Sequence, residues 1–226
     1  MQFEGFTQST IDFMWGLRFN NNKTWFEEHK NEYQRDLLKP MKALAQDVFA
    51  RLDGECAKRG LRLKVSRIYR DARRVRDGEP FRDHLWFSLE KPNDEYWANT
   101  PVFWFELDPE GWSYGLGYYQ ATAETMAKLR ARIDRAPKAF EKFIAPLGKQ
   151  VEFSLEGDEY KRKKNAPTPK TAVWYNKKTF SLIHNGKIED VLFSRELIAR
   201  VIGGLTFLMP FYDYFSTLPS DPIAQQ

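Results

Sequence analysis

The sequence predicts an α+β fold in which N-terminal and C-terminal helices cover a mostly antiparallel sheet. Apolar residues recur at helical spacing before residue 60 and again after residue 120. Between these regions apolar and polar residues alternate in four segments, which predicts strands near 61–69, 84–90, 102–108 and 112–119. No internal repeat or long linker divides the sequence, so we expect a single α+β domain over residues 1–226.

Two helical segments precede the predicted sheet. The first is expected over residues 7–19, with Thr7 or Ser9 as its N-cap, because a hydroxyl accepts hydrogen bonds from the first free N–H groups. Residues 20–22 are all asparagine, which favours a turn and a new N-cap. The second segment has one apolar face, made of Phe26, His29, Tyr33 and Leu37. Pro40 kinks this helix or opens another, because proline has no backbone N–H.

The apolar spacing changes to a period of two at Leu61. If the alternation continues along this strand, Arg67 and Tyr69 also face the core. The last two strands are joined by residues 108–111, where proline and glycine suit a type I turn. Gly115 and Gly117 lie inside the fourth strand, and we expect them to mark close packing or a bulge.

Helices are expected again after the fourth strand, starting at Thr122 and Pro137. Residues 151–157 are a candidate short strand. The chain is expected to close with a helix over residues 193–214 that is interrupted or kinked near Gly203 and Gly204 and stops around Pro210.

Composition excludes several functional classes. The 35 Lys and Arg residues exceed the 31 Asp and Glu residues by four, a mild excess compared with a dedicated nucleic-acid binder. The single Cys56 rules out an internal disulfide and a cysteine-based metal cluster. We expect no signal peptide and no membrane span, and therefore a cytoplasmic protein. No HExxH, Rossmann, Walker or nucleophile-elbow motif is present, so the sequence predicts no metal site and assigns no cofactor.

Residues 66–84, here called the arginine segment, hold six arginines and four acids and no lysine. Guanidinium groups bind phosphate and carboxylate in a bidentate manner, which an ammonium group cannot do. We therefore predict an arginine-lined pocket for an anion, with the ligand held by Arg67, Arg70, Arg73, Arg74 and Arg82. The alternative is a structural network of Arg–Asp ion pairs.

Acidic residues and one histidine in the same segment are the candidate catalytic groups. Arg70, Arg73, Arg74 and Asp77 lie at helical spacing, which would align them on one side. Asp71 and Asp77 could orient the arginines, or one of them could act as a base, and His84 is the third candidate. For His29, on the second helix, we expect a hydrogen-bonded histidine at the edge of the core.

Several motifs of the chain resemble the domain-of-unknown-function family 2461. They are FEGF at residues 3–6, NNNKTWFEEHKNEY at 20–33, RIYRDARRVRDGEPFRDH at 67–84, GLGY at 115–118 followed by Leu129 and Arg130, and KRKKNAP at 161–167. The resemblance implies an α+β fold and draws attention to the arginine segment, and it implies no catalytic residues. The chain departs from the family pattern at Arg74, Gly78, Phe81 and Arg82, where the family tends to have an aromatic residue, Lys, Tyr and Lys.

Three functional hypotheses follow from the sequence. The first is a protein with the arginine-lined anion pocket. The second is a nucleic-acid-binding module that uses Arg76 and the KRKK loop, which comprises Lys161, Arg162, Lys163 and Lys164. The third is a scaffold without enzymatic activity, in which the arginine segment only stabilises the fold. The sequence identifies no reaction.

Overall fold

The computed structural model of the chain describes residues 2–71, 78–92 and 100–222. The N-terminal elements are α1 (Gln8–Phe19), α2 (Lys23–Glu28), α3 (Lys30–Glu32), a π-helix (Tyr33–Leu38), α4 (Lys39–Arg51), α5 (Asp53–Arg59), β1 (Arg62–Val65), β2 (Leu85–Glu90), β3 (Val102–Leu107) and β4 (Gly111–Gly117). The remaining elements are α6 (Ala123–Arg135), α7 (Pro137–Ile144), β5 (Ser154–Glu156), α8 (Pro169–Tyr175), β6 (Ser181–Lys187) and α9 (Glu196–Ser216), with 3₁₀ turns at Ala145–Lys149, Asp190–Phe193 and Leu218–Ser220.

The six strands form one antiparallel sheet in the order β1-β2-β3-β4-β6-β5. β1 pairs with β2 with Leu63 opposite Leu89, and β5 pairs with β6 with Leu155 opposite Leu182. The predicted α+β class, with helices at both ends of the chain, is confirmed. Among the described residues, no helix has the length and apolar character needed to span a membrane.

The chain forms two compact units. Unit one contains Met1–Lys91, Trp104–Tyr114 and Asn185–Gly204, and unit two contains Pro92–Phe103, Gly115–His184 and Leu205–Gln226. The single domain that the sequence predicts stays a prediction.

In unit one, caps and a π-helix shape the helical layer. Thr7 caps α1 as predicted, in a capping box with Thr10, and Asn22 accepts a hydrogen bond from the Trp25 N–H at the start of α2. Pro40 lacks the N–H that would bind the carbonyl oxygen of Asp36, four residues earlier. The Thr10 hydroxyl donates to that oxygen over 2.6 Å, so the carbonyl is satisfied from α1.

In unit two, aromatic side chains form much of the core. Phe215 of α9 contacts the rings of Trp174 and Phe180, with centroids 5.7 and 4.8 Å apart. The Tyr118 hydroxyl donates to the carbonyl oxygen of Phe215 over 3.2 Å. Gly115 permits a close approach to the next strand, because a Cβ atom there would lie 2.1 Å from the Leu182 carbonyl oxygen. The expected close packing of these glycines is confirmed.

The prediction that Arg67 and Tyr69 face the core is wrong. Ser66 and Ile68 are buried instead, whereas Arg67 is exposed and Tyr69 is 49% exposed. The buried positions change after Val65 although the pairing with β2 keeps its register: the Ser66 N–H donates to the Trp86 carbonyl, and the Ser66 hydroxyl accepts from the Trp86 N–H.

The predicted end of the last helix is also wrong. α9 runs without a break through Gly203 and Pro210 to Ser216. Pro210 is exposed, while its neighbours Met209 and Phe211 are buried. Burial of apolar side chains on both sides outweighs the hydrogen bond that proline removes. β6 and α8 were not predicted from the sequence.

Candidate functional site

Arg82 of the arginine segment is bound within the fold. Its Nη1 donates to the carbonyl oxygens of Arg67 and Tyr69 over 2.9 and 2.5 Å. The guanidinium also lies over the Trp86 ring, 5.2 Å from its centroid. Arg82 therefore connects the residues that precede β2 to the residues that follow β1 through hydrogen bonds.

The other predicted ligand-binding residues lie in different surroundings. Arg70 is half-buried and forms an ion pair with Glu79 at 3.2 Å, and Arg67 is exposed. Four further predicted residues lie outside the described ranges: Arg73, Arg74, Arg76 and Asp77. Asp71 is half-buried and interacts with other groups. A ligand-binding role for these arginines, and a catalytic role for Asp71 and Asp77, stay predictions.

Asn21 fixes the end of the arginine segment to the turn between α1 and α2. Its side chain donates to the carbonyl oxygen of Phe81 over 3.0 Å and accepts from the Phe81 N–H over 3.1 Å. Phe81 in turn stacks on Phe26, with ring centroids 4.1 Å apart. The asparagine-rich turn thus positions the residues that lead into β2.

His84, the third catalytic candidate, lies at the entry of β2 beside an acid. Its Nδ1 is 3.0 Å from Oδ1 of Asp83, and Arg18 of α1 donates from Nε to Oδ2 of Asp83 over 2.5 Å. Burial raises the pKa of the Asp83 carboxyl, but the hydrogen bonds from His84 and Arg18 outweigh burial and hold this pKa below its ordinary value. Asp83 is therefore ionised and fixed in position.

Glu106 is a second acid near His84, and it is not among the candidates that the sequence predicts. It is half-buried on β3, and in the described part of the chain no group donates a hydrogen bond to its carboxyl. Burial raises the pKa of Glu106, and the charge of His84 only partly opposes that effect. The signal for Glu106 is weak in the sequence, because an acid on the polar side of an alternating strand is ordinary.

In unit two, two cations converge on Tyr160. The guanidinium of Arg130, on α6, lies 5.4 Å from the ring centroid, and the ammonium of Lys164 lies 5.3 Å from it. The Nη1 atom of Arg130 is buried, and no hydrogen-bond partner for it is present among the described residues. We call Arg130, Tyr160 and Lys164 the Tyr160 cluster.

Asn176 holds the backbone of the Tyr160 cluster in place through its side chain and its carbonyl group. The N–H of Lys164 donates to the Asn176 side chain over 2.7 Å, and the N–H of Tyr160 donates to the Asn176 carbonyl over 3.0 Å. The neighbouring Lys163 pairs with Glu159. The sequence pointed to Arg130 and the KRKK loop separately, and only the fold brings them together.

Two remaining candidates have structural roles. His29 is half-buried, its Nδ1 lies 2.8 Å from the carbonyl oxygen of Trp25, and its ring stacks on Trp25 at 4.0 Å, which confirms the expected hydrogen-bonded histidine. Cys56 is buried, and burial raises its pKa to about 11, so the thiol stays protonated.

Within the described ranges, no group of three or more His, Cys, Asp or Glu residues could hold a metal ion.

The chain is an α+β protein with an acidic and aromatic cluster of side chains in unit one and a cationic cluster in unit two. The sequence family described as conserved hypothetical protein (DUF2461) matches residues 9–214, and the chain belongs to that family. The resemblance drawn from its motifs is thereby confirmed. A search of curated proteins found no match.

Proposed function

We propose that this protein binds a small ligand bearing a phosphate or carboxylate group, and that Arg130 and Lys164 hold the anionic group. The observation that carries the proposal is the buried Nη1 atom of Arg130, which has no acceptor among the described residues. A buried donor without an acceptor costs about 1–3 kcal/mol. An oxygen of a bound anion would remove that cost, and charge-assisted bonds of this kind are the stronger ones.

The rest of the Tyr160 cluster supports an anionic ligand rather than a neutral one. Two positive charges lie over one aromatic ring, and the backbone of Lys164 is fixed by Asn176. A cation whose backbone is already ordered loses less conformational entropy when a ligand binds. Both features favour a localised anion at this position.

The arginine segment stays a second predicted location for the same kind of ligand. Arg82 and Arg70 already bind groups within the fold, which weakens the case for them. Arg67 is exposed, and it is therefore the described member best suited to a test.

A nucleic-acid-binding module is the alternative that the KRKK loop suggests, since all four of its residues are exposed. A nucleic acid would contact several phosphates, so its affinity would fall steeply with salt. A small anion at one site would show a shallower dependence. The scaffold hypothesis predicts binding of neither, and the cytoplasmic location stays a prediction.

Thermal unfolding in the presence of anions tests the proposal. We expect inorganic phosphate, pyrophosphate or citrate to raise the melting temperature above that in chloride at equal ionic strength. A ligand at a hundred times its Kd stabilises by about 2.7 kcal/mol, which corresponds to about 5–10 °C for a chain of this size. Arg130→Gln should lose most of the shift, because it removes the guanidinium with the unpaired donor.

Arg135→Gln is the matched control, because Arg135 is exposed on the same helix and the change removes the same charge. It should keep the shift. If Arg67→Gln loses the shift and Arg130→Gln keeps it, the anion binds at the arginine segment. If no anion exceeds chloride, anion binding is wrong, and a single-stranded oligonucleotide bound with a steep salt dependence would favour the nucleic-acid alternative.

A further inference from the structure

The face of the sheet opposite the unit-one core carries polar and aromatic groups. Along β2 and β3 the residues Phe87, Phe105 and Leu107 are buried, and the intervening Trp86, Trp104 and Glu106 are half-exposed. β2 and β3 are neighbours in the sheet, and His84 directly precedes β2. This half-exposed face therefore brings His84 and Glu106 together beside two indole rings.

Two carboxyl groups on this face have opposite environments. Asp83 is held ionised by Arg18 and His84, whereas the half-buried Glu106 lacks a hydrogen-bond donor among the described residues and retains its proton more readily. Acids whose surroundings separate their protonation in this way are the usual arrangement of a general acid beside a fixed anion. The charged groups around the pair are Arg18 on α1, Asp83 and Arg82 before β2, and Asp108 and Glu110 after β3.

The contact between His84 and Asp83 determines what His84 can do. The Asp83 carboxylate can only accept a hydrogen bond, and it lies beside Nδ1 of His84. The tautomer of His84 with its proton on Nδ1 is therefore favoured, and Nε2 carries the lone pair. The imidazole also lies 5.7 Å from the Trp86 ring, and its side chain is 31% exposed. A substrate could therefore reach Nε2.

We propose that His84 and Glu106 form a general acid–base pair on this face, with His84 as base, Glu106 as acid and Asp83 as a positioning residue. The substrate class is an uncharged, planar small molecule that carries an acidic proton and a leaving or carbonyl oxygen and rests against an indole ring. His84 Nε2 takes the proton, and Glu106 gives its own proton to the oxygen. Water then returns the proton from the imidazolium to the Glu106 carboxylate, so no oxidant or metal is required.

A probe reaction tests this pair without knowledge of the natural substrate. The neutral, planar 5-nitrobenzisoxazole opens when a base removes its C3 proton: the C–H electrons form a nitrile, the N–O bond breaks, and its electrons stay on the oxygen, so that a single coloured cyanonitrophenolate is formed. We expect wild-type protein to catalyse this opening, and His84→Gln to be slower by at least about tenfold, as general-base catalysis requires. His184→Gln and His29→Gln are the matched controls and should retain the wild-type rate.

Two further variants separate catalysis from structure. Glu106→Gln should remove the decline of the rate with rising pH, because that decline reports ionisation of the acid. Asp83→Asn should lower kcat and leave KM unchanged, because it disturbs the orientation of the imidazole and not the binding face. An equal rate in wild type and His84→Gln would overturn the proposal, as would an unchanged pH profile in Glu106→Gln with both variants folded by circular dichroism.

Discussion

At the scale of single residues, the molecule shows how the partners of a group set its chemistry. Asp83 and Glu106 lie near the same histidine, yet one has two hydrogen-bond donors and the other has none among the described residues. Arg130 and Arg82 differ in the same way, because Arg82 donates to two carbonyls and the Nη1 of Arg130 has no acceptor in the described chain. Groups whose surroundings perturb them in this way cluster at functional sites, which is why Glu106 and Arg130 are the candidates here.

The raised pKa of Glu106 makes a prediction about stability. The folded state holds the Glu106 proton more tightly than the unfolded state does, so this group favours folding at low pH, and its contribution is lost as pH rises through the folded pKa. Glu106→Gln cannot ionise. Its stability relative to wild type should therefore increase from pH 4 to pH 7, as measured by urea unfolding at both values.

Glu28→Gln is the control for this measurement, because Glu28 is exposed on α2. It should leave the difference between the two pH values close to that of wild type. A relative stability of Glu106→Gln that falls between pH 4 and pH 7 would show that Glu106 is better stabilised when ionised, contrary to its assigned environment.

Only part of the residue-scale detail could be predicted from the sequence. Caps such as Thr7 depend on local geometry, so the sequence reveals them. The change of buried positions that exposes Arg67 occurs where Ser66 bonds to Trp86, a contact distant in the sequence. The burial of Glu106 depends on neighbouring strands in the same way, and no local pattern contains that information.

At the scale of elements, we expect the replacement of glycine by alanine to change stability in opposite directions at Gly115 and Gly203. Gly115 in β4 approaches the backbone of β6, where a Cβ atom would lie 2.1 Å from a carbonyl oxygen, whereas a Cβ atom at Gly203 in α9 would meet nothing within 4 Å. We expect Gly115→Ala to destabilise by about 1–3 kcal/mol, as overpacking does. Gly203→Ala should stabilise by about 1 kcal/mol through helix propensity.

Chemical denaturation of the two variants measures this difference, and each serves as the control for the other. A stabilised Gly115→Ala would mean that β4 and β6 separate without cost. A destabilised Gly203→Ala would mean that α9 is interrupted or kinked at this point, which is what the sequence predicts, and not the continuous helix of the structure.

Long periodic elements were easier to predict than short ones. The helices at both ends and the hairpin of β3 and β4 have strong patterns in the sequence. β6 reads SLIHNGK, whose His, Asn and Gly weaken any strand pattern, and it lies between β4 and β5 in the sheet, so its neighbours rather than its own sequence define it as a strand. α9 passes Pro210 because of burial on both sides, which is a tertiary effect that propensity omits.

At the scale of the whole molecule, the net charge of +4 does not show which cationic side chains are paired with acids and which are not. Ion pairs such as Arg132 with Asp221 and Arg18 with Asp83 neutralise many cations. The α+β class could be predicted because it depends on the periods of many residues together. The Tyr160 cluster could not, because α6 and the KRKK loop meet only after folding.

A crystal of the protein soaked in inorganic phosphate tests the central claim, anion binding at the Tyr160 cluster, most directly. We expect tetrahedral density with an oxygen about 2.7–3.2 Å from Arg130 Nη1 and another within hydrogen-bond distance of the Lys164 ammonium. The same soak of Arg130→Gln crystals should show no such density. Phosphate bound only elsewhere, or a protein oxygen already paired with Arg130 Nη1, would contradict the claim.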